Sequence, residues 1–296
     1  MNRPDKAPRA RCRVILHAGT PKTGTTALQV YLERHREDMR LRGILYAPVE
    51  GPTYPMPKHQ WIVNALMAPD AGDFSQRISD LLESISTDIQ TLILSTEGLY
   101  NHWWDFSAAG RQALGRLAEA ASVEVWVWFR DPIEFVRSNY AQKLRDPPGY
   151  VSCYGQDLSV DEMLDDPWFA KQLDYIGFVR DFERLLEVGK VVPFVYTGDT
   201  VTDCLTKLGV SARPRSAARE HASLGSTGVR LVRAINRRHL DVSQRQRAIA
   251  FVNKLDASIG PLSPPLRLTA STRERIRALA EPSTDALSRE FGLDLG

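Results

Sequence analysis

Residues 13–32 read RVILHAGTPKTGTTALQVYL. The apolar run at 13–18 predicts a short strand that is buried on both faces. A turn rich in Gly, Thr and Pro follows at 19–25, and a helical pattern begins at about Thr25 and reaches His35. The pattern places Leu28, Tyr31 and Leu32 on one face of that helix. A buried strand, a loop of the size that holds a phosphate, and a helix therefore follow one another directly.

The rest of the chain alternates strands with helices. Apolar runs predict three more strands at 91–95, 123–129 and 191–196, and Pro193 makes the last an edge strand or an irregular one. Residues 43–57 are rich in proline and predict an irregular loop. Helical patterns cover about 58–68, 73–86, 108–121, 132–144 and 271–291, and most of the chain after residue 200. This alternation predicts an α/β fold with a parallel sheet of about four or five strands, covered by helices on both faces as a three-layer sandwich, and a helical C-terminal part.

The composition limits the classes of function. The net charge of +2 gives no strong field for nucleic acid, and the three cysteines contain no C-x-x-C pair that would hold zinc. No apolar run is long enough to cross a membrane, so we expect a cytoplasmic protein without a transmembrane segment. We expect residues 1–11 to be a disordered basic tail and residues 12–296 to form a single domain.

The loop at 19–26 has the features of an anion cradle. Backbone N–H groups at the start of a helix point at a ligand, and the helix dipole favours negative charge there. Gly24 permits a close approach of the backbone, Lys22 supplies a mobile positive charge, and the threonine hydroxyls add donors. The order of residues is not Walker A, because lysine precedes the glycine instead of following it.

The order Pro-Lys-x-Gly-Thr-Thr resembles the 5′-phosphosulfate loop of sulfotransferases that use 3′-phosphoadenosine 5′-phosphosulfate (PAPS). That family carries the loop on a P-loop, nucleotide-kinase-like α/β fold. The resemblance implies that the loop binds the 5′-phosphosulfate and that Lys22 stabilises the charge that develops on the bridging oxygen. The residues it assigns to the cofactor are Pro21, Lys22, Thr23, Gly24, Thr25 and Thr26.

A second motif supports the same family. Residues 129–144 read FRDPIEFVRSNYAQKL, which is similar to the family pattern R-[DN]-P…S-x-Y. The resemblance implies that Arg130, at a strand end, and Ser138, eight residues later on a helix, bind the 3′-phosphate of PAPS. Arginine suits this role because its planar fork binds phosphate in a bidentate manner. We expect Asp131 to cap the following helix or to orient Arg130. Residues 213–224 are either a basic loop over the 3′-phosphate or a solvated run of charge.

The acceptor must lose a proton as it attacks sulfur, which calls for a general base. Glu97 follows the strand at 91–95 and is the first candidate, with a purely local role at a helix N-terminus as the alternative. His59 is the second candidate, since its ordinary pKa suits a base, although a lone histidine is more often exposed or capping. Glu50 is a third.

Several aromatic residues could contact an acceptor or could belong to the core. Residues 102–104 (HWW) suit either acceptor stacking or the core, and Trp61 suits an acceptor pocket or the core. His17 is expected to pack in the core.

Two other classes of function remain open. A P-loop kinase or nucleoside triphosphatase needs a magnesium-binding acid, and Asp131 is the one acid that resembles it. A nucleotide-binding module without catalysis needs no base. The expected partner is an acceptor of small-molecule, carbohydrate or lipid-linked type, the expected product is adenosine 3′,5′-bisphosphate, and no metal is required.

Overall fold

The computed structural model describes residues 12–49, 57–149, 151–211, 224–238, 240–259 and 263–296. Five strands form one parallel sheet in the order β2-β3-β1-β4-β5. They are β1 (Arg13–His17), β2 (Ile44–Tyr46), β3 (Thr91–Ser95), β4 (Ser122–Phe129) and β5 (Lys190–Val195). His17 pairs with Ser95 on one side and with Trp126 on the other.

Helices surround the sheet and form nearly all of the C-terminal part. The described residues contain α1 (Thr25–Arg34), α2 (Arg36–Arg40), α3 (Gln60–Met67), α4 (Gly72–Ser84), α5 (Gly98–Asn101), α6 (Ala108–Ala120), α7 (Pro132–Lys143), α8 (Val160–Asp165), α9 (Pro167–Lys171), α10 (Tyr175–Leu186), α11 (Thr200–Lys207), α12 (Ser226–Asn236), α13 (Val242–Ile259) and α14 (Ala270–Phe291), with a 3-10 turn at Trp103–Asp105. None of the helices in these ranges is both long and apolar enough to span a bilayer.

The predicted α/β fold is confirmed. All five residues of β3 are buried, as are all those of β4 except Ser122, which is what a parallel sheet covered on both faces requires. β5 lies at the edge, as Pro193 predicted. β2 was not predicted, because its three residues lie within the proline-rich stretch expected to be a loop. Helices α8, α9 and α10 were not predicted either.

The order of the strands puts β1 at the centre of the sheet. The chain leaves β1 and reaches the outer strand β2 on one side, and it later leaves β3 and crosses β1 to reach β4 on the other. In open α/β sheets, ligands bind beyond the carboxyl ends of the strands where the direction of the crossovers reverses. Here that position lies at the loops after β1 and β3. The first is the loop at residues 19–26, called here the Lys22 loop, and the second carries Glu97.

The chain forms two compact units. The first consists of Met1–Trp128 and Phe178–Ala212 and contains the Lys22 loop; the second consists of Phe129–Gly177 and Arg213–Gly296 and carries Arg130. The first unit has an apolar cluster around Leu28, Leu32 and Trp128. The second has its own, built from α7, α8, α9 and the helices after residue 224. The predicted tail at 1–11 lies outside the described residues.

Candidate functional site

The backbone of the Lys22 loop is unusual at two positions. Lys22 has φ 67° and Gly24 has φ 76°, so both lie in the left-handed region. A lysine in this region costs about 1–2 kcal/mol, and such residues cluster at ligand-binding turns. Gly24 is the N-cap of α1, and no side chain caps that helix. The first N–H groups of α1 therefore face the loop without a capping side chain.

Hydroxyl groups hold the loop in this shape. Thr20 Oγ1 donates to the carbonyl of Trp128 (2.5 Å) and Thr23 Oγ1 donates to the carbonyl of Thr20 (2.8 Å). Thr200, at the start of α11, donates its hydroxyl to the carbonyl of Thr23. The hydroxyl proton of Thr23, which was assigned to ligand binding, is thus used inside the loop, and only its N–H and a lone pair remain for a ligand.

Thr25 differs from the other threonines of the loop. Its side chain lies against Gly19, where a Cβ atom would come within 2.0 Å of Thr25 Oγ1. Thr25 is 1% exposed, yet its Oγ1 has no hydrogen-bond partner among the described residues. Leaving a buried hydroxyl unsatisfied costs about 1–3 kcal/mol, so this atom needs a ligand or a water. The donors present, namely the α1 N-terminus, this hydroxyl and the half-exposed Lys22, suit a phosphate or a sulfuryl group. Thr26 is also half-exposed, and Pro21 is buried.

Glu97 lies just beyond β3 and is the N-cap of α5. Its side chain is half-buried, and its carbonyl accepts from the N–H of Tyr100 (3.1 Å). Gly98, the next residue, has no positive φ, and a Cβ there would lie 2.6 Å from Val63 Cγ2, so this glycine permits close packing of α3.

His59 has a role in the core. It is 0% exposed, its Nδ1 accepts from the backbone N–H of Ser95 (2.9 Å) and its Nε2 donates to the carbonyl of Ala47 (3.0 Å). These two bonds fix the tautomer and use both ring nitrogens. Burial lowers the pKa of His59 to about 4. This geometry disfavours the predicted role as general base, because the ring would have to break a backbone bond to take a proton. Of the alternatives, His59 is not exposed, and it is the N-cap residue of α3, although its side chain does not cap that helix.

A polar cluster that the sequence did not reveal joins β1, β3 and α1. Ser95 Oγ lies 2.7 Å from Nδ1 of His17 and accepts from Gln29 Nε2 (3.0 Å). His17 is 2% exposed, as predicted for a core histidine, and burial lowers its pKa to about 3. One signal for Gln29 was available, since it lies four residues after Thr25 and so on the same face of α1.

The aromatic segment after Glu97 divides between core and surface. Trp103 is 5% exposed and its ring packs edge-on against Phe178, with ring centres 6.2 Å apart. His102 Nδ1 lies 3.2 Å from Asp105 Oδ2. Of the predicted stacking residues, only Trp104 is half-buried. Trp61 is half-buried too and packs on Phe74, while Glu50 lies outside the described residues.

The second unit holds the Arg130 junction, defined here as residues 130–138. Asp131 Oδ1 accepts from the N–H of Glu134 (2.8 Å) and Pro132 is the first residue of α7, so the predicted cap is confirmed. Arg130 is half-buried, and its Nη2 donates to Glu134 Oε2 (3.2 Å). Ser138 is 6% exposed, two turns along α7.

Comparisons with known proteins assign no family. No family model matches the sequence, and no curated protein matches it. Among solved structures, the chain is similar to a GTPase in apo form from Pyrococcus abyssi, at 14% identity over 92% of this chain and 97% of that one, with a TM-score of 0.29. A similarity at that level carries no inference about fold or function.

Proposed function

We propose that the protein is a PAPS-dependent sulfotransferase that sulfates a hydroxyl or amine of a small-molecule, carbohydrate or lipid-linked acceptor. The observation that carries the proposal is the Lys22 loop. A strained lysine, an uncapped helix N-terminus and a buried hydroxyl without a partner together form a site for a tetrahedral anion. The resemblance of this loop and of the Arg130 junction to the family names that anion as the phosphosulfate of PAPS.

The residues then have separate tasks. PAPS supplies an activated sulfuryl group, whose bond to the 5′-phosphate breaks as a bond to the acceptor forms. Lys22 neutralises the negative charge left on the phosphate oxygen, and the α1 N-terminus and Thr25 orient the anion. Glu97 takes the acceptor proton, and Arg130 and Ser138 bind the 3′-phosphate.

The rival function is a P-loop kinase or nucleoside triphosphatase. Two observations count against it. The lysine of the loop precedes Gly24, and Asp131 uses a carboxylate oxygen to cap α7. A residue committed to a helix cap is poorly available to hold magnesium.

Calorimetric titration tests the donor site. We expect adenosine 3′,5′-bisphosphate to bind without metal, and Lys22→Ala and Arg130→Ala each to weaken binding about tenfold or more, since each removes a charge-assisted contact. Matched controls are Lys171→Ala, which removes a half-exposed lysine paired with Asp174, and Arg137→Ala, which removes the other guanidinium bound to Glu134.

The outcomes separate the two enzymes. Metal-free binding that only Lys22→Ala and Arg130→Ala weaken supports the sulfotransferase. A preference for ATP with magnesium, or equal effects of the controls, would count against it and favour the kinase-like function.

A second experiment separates an enzyme from a binding module. With labelled PAPS and a panel of acceptors, we expect Glu97→Gln to lower kcat by about 10²–10⁴-fold, the usual contribution of a general base, with nucleotide affinity unchanged. Binding of PAPS without turnover on any acceptor class would favour the module.

A further inference from the structure

The pair of helices α12 and α13, called here the α12–α13 hairpin, forms an unusual surface in the second unit. The two helices run antiparallel. The N–H of Gly228 near the start of α12 donates to Asp256 Oδ1 (3.1 Å), whereas Arg245 near the start of α13 donates to Asn236 Oδ1 (3.2 Å). Their outer faces are therefore fixed relative to each other.

The hairpin is strongly basic. Residues 226–259 contain seven Lys or Arg residues and two acidic ones. Both acids are used internally. Asp241 caps α13 through the N–H of Gln244 (2.8 Å), and Asp256 accepts from Gly228 and from Ser263 Oγ (2.6 Å). Neither acid compensates the basic side chains on the outer faces.

The seven cations divide into two groups. Arg233 and Arg237 both bind Asp157, and Arg245 donates to backbone carbonyls at the end of α7. The other four are exposed, and their side chains make no hydrogen bond or ion pair with any described residue: Arg230, Arg238, Arg247 and Lys254.

Apolar side chains stand among these cations. Phe251 is 65% exposed, Val242 70% and Leu231 37%, and Phe251 is the only strongly exposed aromatic in the described ranges. Arg247, Phe251 and Lys254 follow the spacing i, i+4 and i+7, which places them in one stripe along α13. Phe251 lies between two unpaired cations in this stripe, so a partner that offers both an apolar environment and negative charge would complement it.

We propose that the α12–α13 hairpin docks on an anionic membrane surface, with Phe251 entering the headgroup region and the four unpaired cations facing acidic lipids. The charge excludes a second copy of this chain, because two such faces repel each other. A nucleic-acid duplex would satisfy the cations with its phosphates but gives Phe251 nothing apolar to enter, whereas a lipid interface satisfies both. The inference does not depend on the proposed enzymatic function.

Cosedimentation of the full chain with vesicles tests the proposal. We expect binding to vesicles of mixed phosphatidylcholine and phosphatidylserine, little binding to phosphatidylcholine alone, and weaker binding as salt rises. Arg247→Ala with Lys254→Ala should weaken binding about thirtyfold, since each cation near the surface contributes about 1 kcal/mol. Phe251→Ser should weaken it about tenfold and Phe251→Trp should restore it, because tryptophan favours the interface.

The control is Arg273→Ala with Arg277→Ala, which removes two exposed arginines from α14, where Glu274 and Glu281 dilute the charge. Membrane binding of this variant should be unchanged, and all variants should melt at the wild-type temperature. Equal binding to both kinds of vesicle, or an equal loss in the α14 control, would overturn the proposal. So would tighter binding to single-stranded DNA than to the phosphatidylserine vesicles, whatever the effect of Phe251→Ser, because bases stack on exposed aromatic side chains. That result would assign the surface to nucleic acid.

Discussion

The Lys22 loop and the Arg130 junction each place a cation between a strand and a helix, yet their helix ends are built in opposite ways. α1 begins after a left-handed glycine and has no side-chain cap. α7 begins with Pro132 and is closed by the carboxylate of Asp131. An open helix end offers N–H groups and a positive dipole to an anion. At a capped end the capping carboxylate already binds an N–H group and neutralises the dipole.

The two regions would therefore bind a phosphate in different ways. At the Lys22 loop the backbone is part of the binding surface, so its conformation matters as much as its side chains. At the Arg130 junction any anion must be bound by side chains, Arg130 and Ser138 above all. We therefore expect changes of backbone shape to be most damaging in the first region and changes of side-chain charge to be most damaging in the second.

The largest expected effect is that of acid on the first unit, which contains His59. In the folded state burial lowers the pKa of His59 to about 4 from its ordinary 6.5, so the unfolded chain binds the extra proton between these values. The stabilisation is complete above pH 6.5 and is lost as the pH falls from there through 4. Since the two states differ by one proton in this range, the free energy of unfolding falls by about 1.4 kcal/mol per pH unit and by about 3 kcal/mol in all. His17, also in the first unit, continues the trend at lower pH.

Urea unfolding between pH 7.5 and 4.5 measures this dependence. His59→Gln should flatten the fall in unfolding free energy, and the control His35→Gln, at a partly exposed histidine, should leave it as in the wild type. An unchanged slope in His59→Gln would mean that other groups govern acid unfolding.

The next largest effect is expected at Gly19. A Cβ atom there would come within 2.8 Å of three Thr25 side-chain atoms, which are buried and cannot swing aside. Gly19→Ala should lower the free energy of unfolding by about 1–3 kcal/mol, the usual cost of overpacking, and weaken nucleotide binding. Gly72→Ala is the matched control, since a Cβ there meets nothing within 4 Å. Wild-type melting and binding in Gly19→Ala would show that the loop shape is not set by this contact.

The elements of the fold that could be predicted are those whose burial shows in the order of adjacent residues. The strand at 91–95 and the helix that ends at Gly292 have the predicted bounds to within one residue, because an apolar run and a left-handed cap are readable along the chain. β2 escaped because it has three residues, and its pairing with β3 depends on a partner distant in sequence. The helices between 160 and 186 have local sequence signals of their own, including the capping box of Ser159 and Glu162 at the start of α8.

For the candidate site, the motif predicts a set of residues but does not predict what each of them contacts. The motif identifies Thr23 and Thr25 equally, and only the fold shows that one closes the loop while the other has a buried hydroxyl without a partner. The ordinary pKa of a histidine suggested a base at position 59, but the carbonyl of Ala47 and the N–H of Ser95, brought together by the sheet, fix it in the core.

A smaller effect tests the cap at the Arg130 junction. Asp131→Ala should lower the free energy of unfolding by about 1 kcal/mol, whereas Asp131→Asn should keep it, because asparagine also caps helices. Asp131→Asn should also retain or improve binding of adenosine 3′,5′-bisphosphate, since it removes a negative charge. Thr269→Ala, which removes the cap of α14, controls for loss of a cap without a ligand effect. Loss of magnesium-dependent ATP binding in Asp131→Asn would instead give this carboxylate the role of a metal ligand.

The smallest effect is expected at Glu134, which accepts from both Arg130 and Arg137. Pairs of this kind are partly exposed and contribute little to stability, so Glu134→Gln should melt like the wild type. Because the carboxylate competes with phosphate for Arg130, the variant should bind adenosine 3′,5′-bisphosphate about twofold more tightly, and more so at low salt. Glu274→Gln on α14 removes a remote exposed carboxylate and should bind like the wild type. Weaker binding in Glu134→Gln would show that the carboxylate orients Arg130 rather than competing for it, which would make the junction pre-organised, as the Lys22 loop is, but through side chains instead of backbone.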